Sequence, residues 1–331
     1  MQKNYGVKFL GYGAALPSRV VKNTDLENLF DTSDEWIFTR TGIKERRVLA
    51  ENENGLTLAS KAAKDAISKS GIEPGDIDLI IVSTCTPDKL YPSMSCMLQA
   101  EIGAVNAVCF DLSAACSGYV FGIVTASQFI YTGLYKNILV VGVDVHSRFL
   151  DWTERSVSIL FGDGAGAVVM KQSLPAEDEL VGFVIKSKTD KDFDLVLDNT
   201  NTSFVNFSKS KTSNFVSMNG KAIFQFALSV VPQVINELLD KINFSKDDFD
   251  YLILHQANQR IIDSVSHKLN MKKDKVISSI QNVGNTSAAS IPLAIVYGLD
   301  SKIIKIPSTL LLAGFGAGLT WGAVMIKCTV K

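Results

Sequence analysis

Short apolar runs alternate with longer amphipathic stretches along most of this chain. The runs have the length of strands buried on both faces, and the stretches have the period of helices with one buried face. One helix is predicted over residues 56–70, with Gly71 as its C-terminal stop. Strands and helices that alternate at this spacing predict an α/β fold with mainly parallel sheets covered by helices.

The alternation occurs twice, and this repeat is the strongest architectural signal in the sequence. DIDLIIV at residues 76–82 resembles DFDYLIL at 248–254, and NILVVG at 137–142 resembles STLLLA at 308–313, each roughly 170 residues apart. We predict two halves, residues 1–175 and 176–331, stacked about a pseudo-twofold axis. A site is expected where the carboxyl ends of the two sheets face each other. The polar residues 198–217 are predicted to form an excursion on the surface.

Cys116 lies at the joint between a predicted strand, residues 107–110, and a predicted helix that Gly133 closes. Only small residues separate the strand from the helix. A thiol in the first turn of a helix faces unpaired N–H groups and the positive end of the dipole, so we expect its thiolate to be favoured. A buried cysteine is often an inert small hydrophobe. The strand, turn and helix around Cys116 instead favour a nucleophile that attacks acyl groups.

Two polar residues of the second half also follow predicted strands. His255 comes directly after the strand at 251–254, and Asn285 lies in the turn that corresponds to the Cys116 turn. A lone histidine is often a structural hydrogen-bonding group, and an asparagine before a helix is often a cap. The glycine-flanked segment 313–319 allows either a close backbone approach to a ligand or a tight hairpin.

Trp36 and Arg40 lie four residues apart on one face of a predicted helix. An indole and a guanidinium so placed are suited to stack on a nucleotide base and to meet phosphate. A surface salt-bridge cluster is the alternative interpretation.

Composition narrows the classes of function. A net charge of −1, with 47% hydrophobic and 20% charged residues, gives no global attraction to nucleic acid or to an anionic membrane. Five cysteines without paired metal spacing are typical of a reducing compartment and indicate no metal site. The first residues do not resemble a signal peptide and no apolar run reaches about 18 residues, so we expect a cytoplasmic protein without a membrane span.

Taken together, the motifs resemble the thiolase superfamily, and within it β-ketoacyl-acyl-carrier-protein synthase III. The resemblance covers almost the whole chain. Besides the Cys116 turn it includes DEW at 34–36, RTGI at 40–43, FGDGAGA at 161–167, MNG at 218–220, HQAN at 255–258, GNTS at 284–287 and FGAGLTWG at 315–322. It implies a five-layered αβαβα sandwich. An asparagine at the third catalytic position, Asn285, points to the initiating type of synthase.

The resemblance implies that Cys116 takes an acyl group, typically acetyl, from coenzyme A. Backbone N–H groups of Cys116 and Ala317 would hold the oxyanion. Malonyl-acyl-carrier protein would then lose carbon dioxide, with His255 and the Asn285 amide stabilising the enolate, and the carbanion would attack the acyl-enzyme. No metal or redox cofactor is implied, since acyl-coenzyme A is a substrate.

The resemblance also assigns binding residues. For coenzyme A and its pantetheine arm they are Thr32, Trp36, Arg40, Arg155, Gly220 and Asn258, with Trp36 and Arg155 on either side of the adenine. Arg260 and Lys268 would meet the acyl carrier protein. Phe161 would line the acyl pocket, and Tyr91 would close the pocket of the partner subunit in a homodimer. The strand at 138–142 is expected to pair with its twofold mate, because an apolar edge is an aggregation hazard.

Three readings of function remain open from the sequence. The favoured one is the condensing enzyme that initiates fatty-acid synthesis. A related acyltransferase of specialised metabolism, with another primer or acceptor, is the second, because residues 188–217 lack the glycines usual in relatives. A non-catalytic subunit of a synthase pair is the third, and the presence of Cys116, His255 and Asn285 argues against it.

Overall fold

The computed structural model describes residues 3–198 and 215–330. The strands in chain order are β1 (Gly6–Ala15), β2 (Arg19–Lys22), β3 (Glu45–Val48), β4 (Leu79–Ser83), β5 (Val108–Leu112), β6 (Asn137–Val145), β7 (Asp163–Ser173), β8 (Leu180–Ser187), β9 (Leu195–Val196), β10 (Ser217–Met218), β11 (Tyr251–Leu254), β12 (Val276–Ile277), β13 (Ser308–Gly316) and β14 (Thr320–Cys328). The surface excursion expected over residues 198–217 lies largely outside the described residues.

The helices in chain order are α1 (Asn23–Leu26), α2 (Asp34–Thr41), α3 (Gly55–Ser70), α4 (Met94–Ile102), α5 (Gly118–Thr132), α6 (Arg155–Ser158), α7 (Gly220–Ile242), α8 (Gln259–Lys268), α9 (Ile280–Val283) and α10 (Ser290–Asp300). Several end where the sequence indicates. The α3 helix stops at Gly71 and α5 stops at Gly133, and both glycines adopt the left-handed conformation of a C-terminal cap.

Two five-stranded sheets have the same strand order. The first runs β1-β7-β6-β4-β5 and the second runs β8-β14-β13-β11-β12. In each sheet three neighbouring strands are parallel, and the remaining pairings are antiparallel. The repeat in the sequence is thus a repeat of topology. The strands of the first sheet all precede the short turn Pro175–Glu177, although the division at residue 175 stays a prediction.

Five layers alternate between helix and sheet. Helices α5 and α10 lie between the two sheets and share one apolar core with both of them. Helices α3 and α4 cover the outer face of the first sheet, and α7 and α8 cover the outer face of the second. The αβαβα sandwich implied by the resemblance is confirmed. Because strands of both sheets end beside α5 and α10, side chains at those ends converge between the halves.

The turns that lead into the two central helices have the same backbone conformation. A short 3₁₀ turn, Ala115–Ser117, precedes α5, and another, Ser287–Ala289, precedes α10. Ala115 has φ 46° and Ser287 has φ 50°, a left-handed conformation that is uncommon outside glycine. The second turn therefore reproduces the first at the pseudo-twofold position, as the sequence predicts for Cys116 and Asn285.

One prediction from the sequence is wrong. The strand expected at a dimer edge, residues 138–142, belongs to β6, which is hydrogen-bonded to β4 on one side and to β7 on the other. An interior strand is buried on both faces, which is why it reads as a continuous apolar run. The open edge next to the Cys116 turn is β5, whose side chains are only partly buried.

Helix α7 is the one described helix that is long and apolar enough to cross a membrane by length and composition. Its apolar residues, among them Val231, Ile235 and Leu238, are buried in the core formed with the second sheet. The helix therefore has the burial expected of an outer layer of this sandwich.

The contact between the two halves gives a first prediction. A Cβ added to Gly142 in β6 would lie 2.4 Å from the carbonyl oxygen of Ala288, which belongs to the turn before α10. Gly142→Ala should lower the free energy of unfolding by about 1–3 kcal/mol, since backbone must move to admit the methyl group. Equilibrium urea denaturation measures this loss. Gly75→Ala is the control, because no atom lies within 4 Å of its added Cβ; equal midpoints for the two variants would contradict the close packing of the halves.

Candidate active site

Cys116 is held between the two halves by close backbone contacts. It lies in the 3₁₀ turn between β5 and α5 and is buried. Gly316, at the end of β13, leaves no room for a side chain, since an added Cβ would lie 2.7 Å from the Cys116 backbone nitrogen. The ends of β5 and β13, one from each sheet, therefore meet at this sulfur.

The expectation that the Cys116 thiolate is favoured is wrong for the resting protein. Burial raises the pKa of the thiol to about 12, and the nearby Asp144 carboxylate acts in the same direction. The hydroxyl of Ser287, which donates a hydrogen bond to the sulfur over 3.2 Å, opposes this shift. Desolvation is the largest of the effects on this thiol. The resting nucleophile is a neutral thiol.

Asp144 lies behind the sulfur and joins the two halves. Its carboxylate, at the end of β6, accepts hydrogen bonds from the Thr84 and Thr86 hydroxyls and from the Cys85 N–H, all in the loop after β4. It also accepts one from the N–H of Ala288 in the turn before α10, over 3.1 Å. The loop of the first half and the turn of the second are therefore fixed by one fully buried carboxylate.

His255 follows β11, as the sequence predicts, and its ring is almost fully buried. Its Nδ1 lies 2.7 Å from the Ser290 hydroxyl, which also accepts a hydrogen bond from the Gln256 N–H over 3.3 Å. The Ser290 hydroxyl has no other acceptor among the described residues, so we infer that it donates its hydrogen bond to Nδ1. Nε2 then carries the ring proton and is a donor. Burial lowers the pKa of His255 to about 3, so the imidazole is neutral.

Asn285 lies between α9 and the turn that leads into α10. Its side-chain oxygen accepts a hydrogen bond from the Ser287 N–H over 2.9 Å. Its backbone pairs with the end of the Leu160–Gly162 segment, through bonds from Asn285 N–H to Leu160 and from Gly162 N–H to Asn285. Because the oxygen is engaged, the amide nitrogen is the free end of the side chain. Asn285 and His255 can both act as hydrogen-bond donors.

Two cavities meet at Cys116. The first, which we call the Ser287 cavity, has a volume of about 580 Å³ and is lined by Ser287, Ala317 and Phe161 among others. The second, the His255 cavity, has a volume of about 260 Å³ and is lined by His255 and Asn285. Cys116 and Phe161 line both cavities. The sulfur therefore separates a space that contains His255 and Asn285 from one that does not.

The Ser287 cavity takes much of its wall from the segment before the undescribed residues. Its remaining lining residues are Cys85, Pro87, Leu90, Ser113, Ala115, His146, Phe149, Asp190, Phe193, Leu195, Val196, Leu197, Asp198, Val216 and Gly318. The ring of Phe161, predicted to line an acyl pocket, stacks on that of His146 with centroids 4.6 Å apart. Leu90 and Phe193 are largely exposed, so this cavity opens to the surface beside them.

The residues expected to bind coenzyme A lie on the side of the His255 cavity, with one difference from expectation. Trp36, Arg40, Gly220 and Asn258 line this cavity, and Trp36 and Arg40 also line a surface cleft at its mouth. The guanidinium groups of Arg40 and Arg155 lie 4.6 Å and 4.4 Å from the Trp36 ring centroid. Arg155 thus stacks on the indole itself, so an adenine between them would have to displace it.

Thr32 and Asn258, which are also expected to bind coenzyme A, differ in their hydrogen bonds. The Thr32 hydroxyl is buried and has no partner within the described part of the chain, and Thr32 lines neither the His255 cavity nor the cleft. Asn258 caps α8 through a bond from the Arg260 N–H and donates to the Arg40 carbonyl. Its amide is therefore a structural link between α2 and α8.

The remaining predicted residues lie on the surface. Arg260 borders the cleft at the mouth of the His255 cavity, whereas Lys268, at the other end of α8, donates to the Leu228 carbonyl. Tyr91 is 86% exposed and lines neither cavity of its own chain. In residues 3–198 and 215–330 there is no cluster of three or more side chains able to hold a metal ion.

Sequence reasoning missed Ser287, Ser290 and Asp144. Ser287 and Ser290 stand in the GNTS motif and just beyond it, at positions whose first-half counterparts are Ala115 and Gly118. Comparison of the two turns could have shown that the second carries hydroxyls where the first carries none. Nothing in the sequence indicates a role for Asp144, because it lies near the end of an apolar strand and belongs to no motif.

The buried imidazole predicts an acid-sensitive fold. The pKa of His255 is about 3 in the folded protein against 6.5 for a free histidine, so between these values only the unfolded chain binds the proton. Stability is complete above about pH 6.5 and falls as the pH is lowered toward 3. Between pH 7.5 and pH 5.5, protonation of His255 in the unfolded chain should lower the free energy of unfolding by about 1.4 kcal/mol. In His255→Gln this loss should be absent.

Urea denaturation of both proteins at the two pH values measures this difference in the free energy of unfolding. His267→Gln, which removes an exposed histidine of α8, serves as the matched control and should retain the wild-type loss. A His255→Gln protein with the same acid loss as the wild type would contradict a neutral, buried imidazole.

Comparison with known proteins identifies the family. Models of 3-oxoacyl-[acyl-carrier-protein (ACP)] synthase III match residues 110–189 and, for its C-terminal part, residues 239–328. Beta-ketoacyl-[acyl-carrier-protein] synthase III of Trichormus variabilis is 46% identical over 329 residues, covering 98% of this chain and 99% of that protein. The synthase III structure from Aquifex aeolicus has a TM-score of 0.90 and 40% identity, covering 98% of this chain and 100% of that one.

A second structure shows how far the likeness extends. The priming β-ketosynthase of the R1128 polyketide pathway has a TM-score of 0.92 at 31% identity and covers 100% of this chain and 98% of that one. Similarity along the full length, the two-halved sandwich and the convergence of both sheets on Cys116 all agree with the resemblance found in the sequence. This chain belongs to the β-ketoacyl-[acyl-carrier-protein] synthase III family of thiolase-fold acyltransferases.

Proposed function

We propose that this protein initiates fatty-acid synthesis by transferring an acyl group from coenzyme A to Cys116 and condensing it with malonyl-acyl-carrier protein. The observation that carries the proposal is the position of Cys116 at the junction of two cavities. The Ser287 cavity can hold the acyl group on the sulfur. The His255 cavity brings a second thioester past two hydrogen-bond donors to the same sulfur.

In the first half-reaction the Cys116 thiol gives up its proton to solvent as its sulfur attacks the thioester, and a proton from solvent ends on the sulfur of the departing coenzyme A. The negative oxygen of the tetrahedral intermediate needs donors that are already in place. We assign this role to the backbone N–H groups of Cys116 and Ala317. The close approach of Gly316 to the Cys116 backbone supports the assignment, because it brings the two segments together.

In the second half-reaction the malonyl group loses carbon dioxide and leaves an enolate, whose oxygen needs donors. His255 and Asn285 fill this role. The neutral imidazole with its proton on Nε2 and the amide whose oxygen is engaged by Ser287 N–H both support it. The carbanion attacks the acyl-Cys116 carbonyl, the sulfur is expelled, and it takes up a proton from solvent. Decarboxylation supplies the carbanion, so the proposed reaction draws on no metal or redox cofactor.

The His255 cavity and its surface cleft form the proposed path for the pantetheine arm. The residues assigned to coenzyme A are Thr32, Trp36, Arg40, Arg155, Gly220 and Asn258, and the positions of Trp36, Arg40, Gly220 and Asn258 in the cavity wall support this. Arg260, at the cleft, and Lys268 are assigned to the acidic surface of the acyl carrier protein. Acyl-coenzyme A and acyl carrier protein as partners fit a cytoplasmic enzyme.

A synthase of specialised metabolism is the second candidate. The likeness to a polyketide priming β-ketosynthase favours it, and so do the polar groups in the Ser287 cavity, where Asp190, Cys85 and Ser113 stand beside aromatic rings. An assay of acyl-coenzyme A primers of different length and polarity against malonyl-acyl-carrier protein separates the two. Preference for acetyl supports fatty-acid initiation, and preference for a polar primer supports the alternative.

A homodimer joined at the open edge of β5 is part of the proposal. Val108 donates its N–H to Asp78, so the alternating N–H groups of Cys109 and Asp111 point away from the sheet. Leu90 and Tyr91, at 74% and 86% exposure, leave apolar surface uncovered. An isologous pairing of two β5 edges satisfies the backbone and covers this surface.

The two half-reactions give a prediction that tests the proposed function. Cys116→Ala should form no acyl adduct with acetyl-coenzyme A. His255→Ala and Asn285→Ala should still form the adduct, yet lose decarboxylation of malonyl-acyl-carrier protein by roughly 10²–10³-fold, the usual loss for one oxyanion donor. Intact-protein mass spectrometry follows the adduct, and release of labelled carbon dioxide follows the second step. An adduct on Cys116→Ala would refute the nucleophile, and equal damage to both steps would refute the separation of roles.

The interface gives another prediction. In the proposed dimer Tyr91 closes the mouth of the partner's Ser287 cavity, so Tyr91→Ala should admit longer primers while the protein stays dimeric. Each further methylene that becomes buried contributes about 0.8 kcal/mol. The ratio of kcat/KM for hexanoyl- to acetyl-coenzyme A measures the effect, with Leu134→Ala, at an exposed position just after α5, as control. An unchanged ratio would end the pocket assignment, and an active monomer in light scattering would end the dimer.

A further inference from the structure

Ser287 is the one described side chain that forms a hydrogen bond with the reactive sulfur. Its Oγ lies 3.2 Å from Cys116 Sγ, and its side chain is almost fully buried. The donors assigned in the proposed function act on the oxygen atoms of the tetrahedral intermediate and of the enolate. None of those donors addresses the charge on the sulfur itself, which the buried site and the Asp144 carboxylate both disfavour.

The backbone holds Ser287 firmly in place. Its N–H donates to the Asn285 side-chain oxygen, and the N–H of Ala288 donates to Asp144 over 3.1 Å. The residue has φ 50°, a conformation that costs a serine energy and is seldom kept without a reason. The hydroxyl is thus delivered to the sulfur by a turn that has little freedom.

The pseudo-twofold repeat shows that the turn itself does not require a serine. At the corresponding position of the first half Ala115 adopts φ 46°, before an equivalent 3₁₀ turn and central helix. The fold therefore accommodates alanine in this conformation. The difference between the two halves at this position is a hydroxyl, and it points at the nucleophile.

Building on the function proposed above, we propose that Ser287 is a further catalytic residue, whose hydroxyl donates a hydrogen bond to the Cys116 sulfur. The bond holds the negative charge that this sulfur carries when it attacks the first thioester and again when the C–S bond of the tetrahedral intermediate breaks. Ser287 lines the cavity assigned to the acyl group and not the cavity that contains His255 and Asn285. It therefore acts on the sulfur in both half-reactions and leaves decarboxylation to the other two residues.

Alkylation of Cys116 by iodoacetamide tests the bond without any reference to acyl transfer. In Ser287→Ala the alkylation rate should fall roughly 10–100-fold at pH 8, and by a similar factor at pH 7 and pH 9, as expected for loss of a hydrogen bond to a charged group. Peptide mass spectrometry separates Cys116 from the other four cysteines. Acetyl transfer from acetyl-coenzyme A should fall by a similar factor.

Ser117→Ala is the matched control, because it removes an equally buried hydroxyl next to Cys116 that donates to the Ala114 carbonyl and not to the sulfur. It should keep the wild-type alkylation rate. An unchanged rate in Ser287→Ala, or the same loss in Ser117→Ala, would overturn the proposal. Should Ser287→Ala unfold, Ser287→Gly removes the hydroxyl in a residue suited to φ 50° and gives the same reading.

The two proposals fail in different ways. A wild-type protein that takes no acetyl group, but whose alkylation depends on Ser287, would refute the proposed function and support the hydrogen bond. A wild-type protein that is acetylated normally, and whose alkylation and acetylation are both indifferent to Ser287→Ala, would refute the role of Ser287 alone.

Discussion

A buried carboxylate holds the two halves of this protein in register at the point where chemistry takes place. Asp144 collects donors from the loop after β4 and from the turn before α10, and so links the half that carries Cys116 to the half that carries His255 and Asn285. A buried charge is costly unless several donors satisfy it. The same charge makes a thiolate less favourable next to it. The group that assembles the site therefore also raises the energy of its reactive form, and other donors must compensate.

Much of the architecture could be predicted because the spacing of apolar residues along the chain indicates where helices and strands lie. The two series of apolar runs and amphipathic stretches correspond to two sheets of the same strand order, and Gly71 and Gly133 end α3 and α5 as expected. The sequence singled out Cys116, His255 and Asn285 because each was expected near the end of a strand, where side chains of an α/β sheet converge; in the structure the short helix α9 stands between β12 and Asn285. Strand order within the sheet was harder. Residues 138–142 were placed at an edge, although an apolar run buried on both faces is the signature of an interior strand.

Electrostatics and tautomers could not be predicted, since they depend on depth and on partners that are distant in the sequence. The start of a helix suggested a thiolate at Cys116, but full burial reverses that inference. Ser290 lies 35 residues from His255 and settles which ring nitrogen carries the proton. Ser287 lies 171 residues from Cys116, and only the meeting of the two halves brings its hydroxyl to the sulfur. Residue types were visible in the sequence, whereas their protonation was not.

The arrangement of two cavities around one sulfur also determines the order of events. In the proposed mechanism both thioesters reach Cys116 through the His255 cavity, and the Ser287 cavity keeps the first acyl group after its carrier has gone. On this proposal the two substrates exclude each other from a shared entrance, and we expect turnover to follow a ping-pong course. Excess of either substrate blocks the form of the enzyme that awaits the other. The rate of the reaction then depends on the ratio of the concentrations of acyl-coenzyme A and malonyl-acyl-carrier protein, as well as on each concentration. A single shared tunnel thereby makes the rate sensitive to the relative supply of the two substrates.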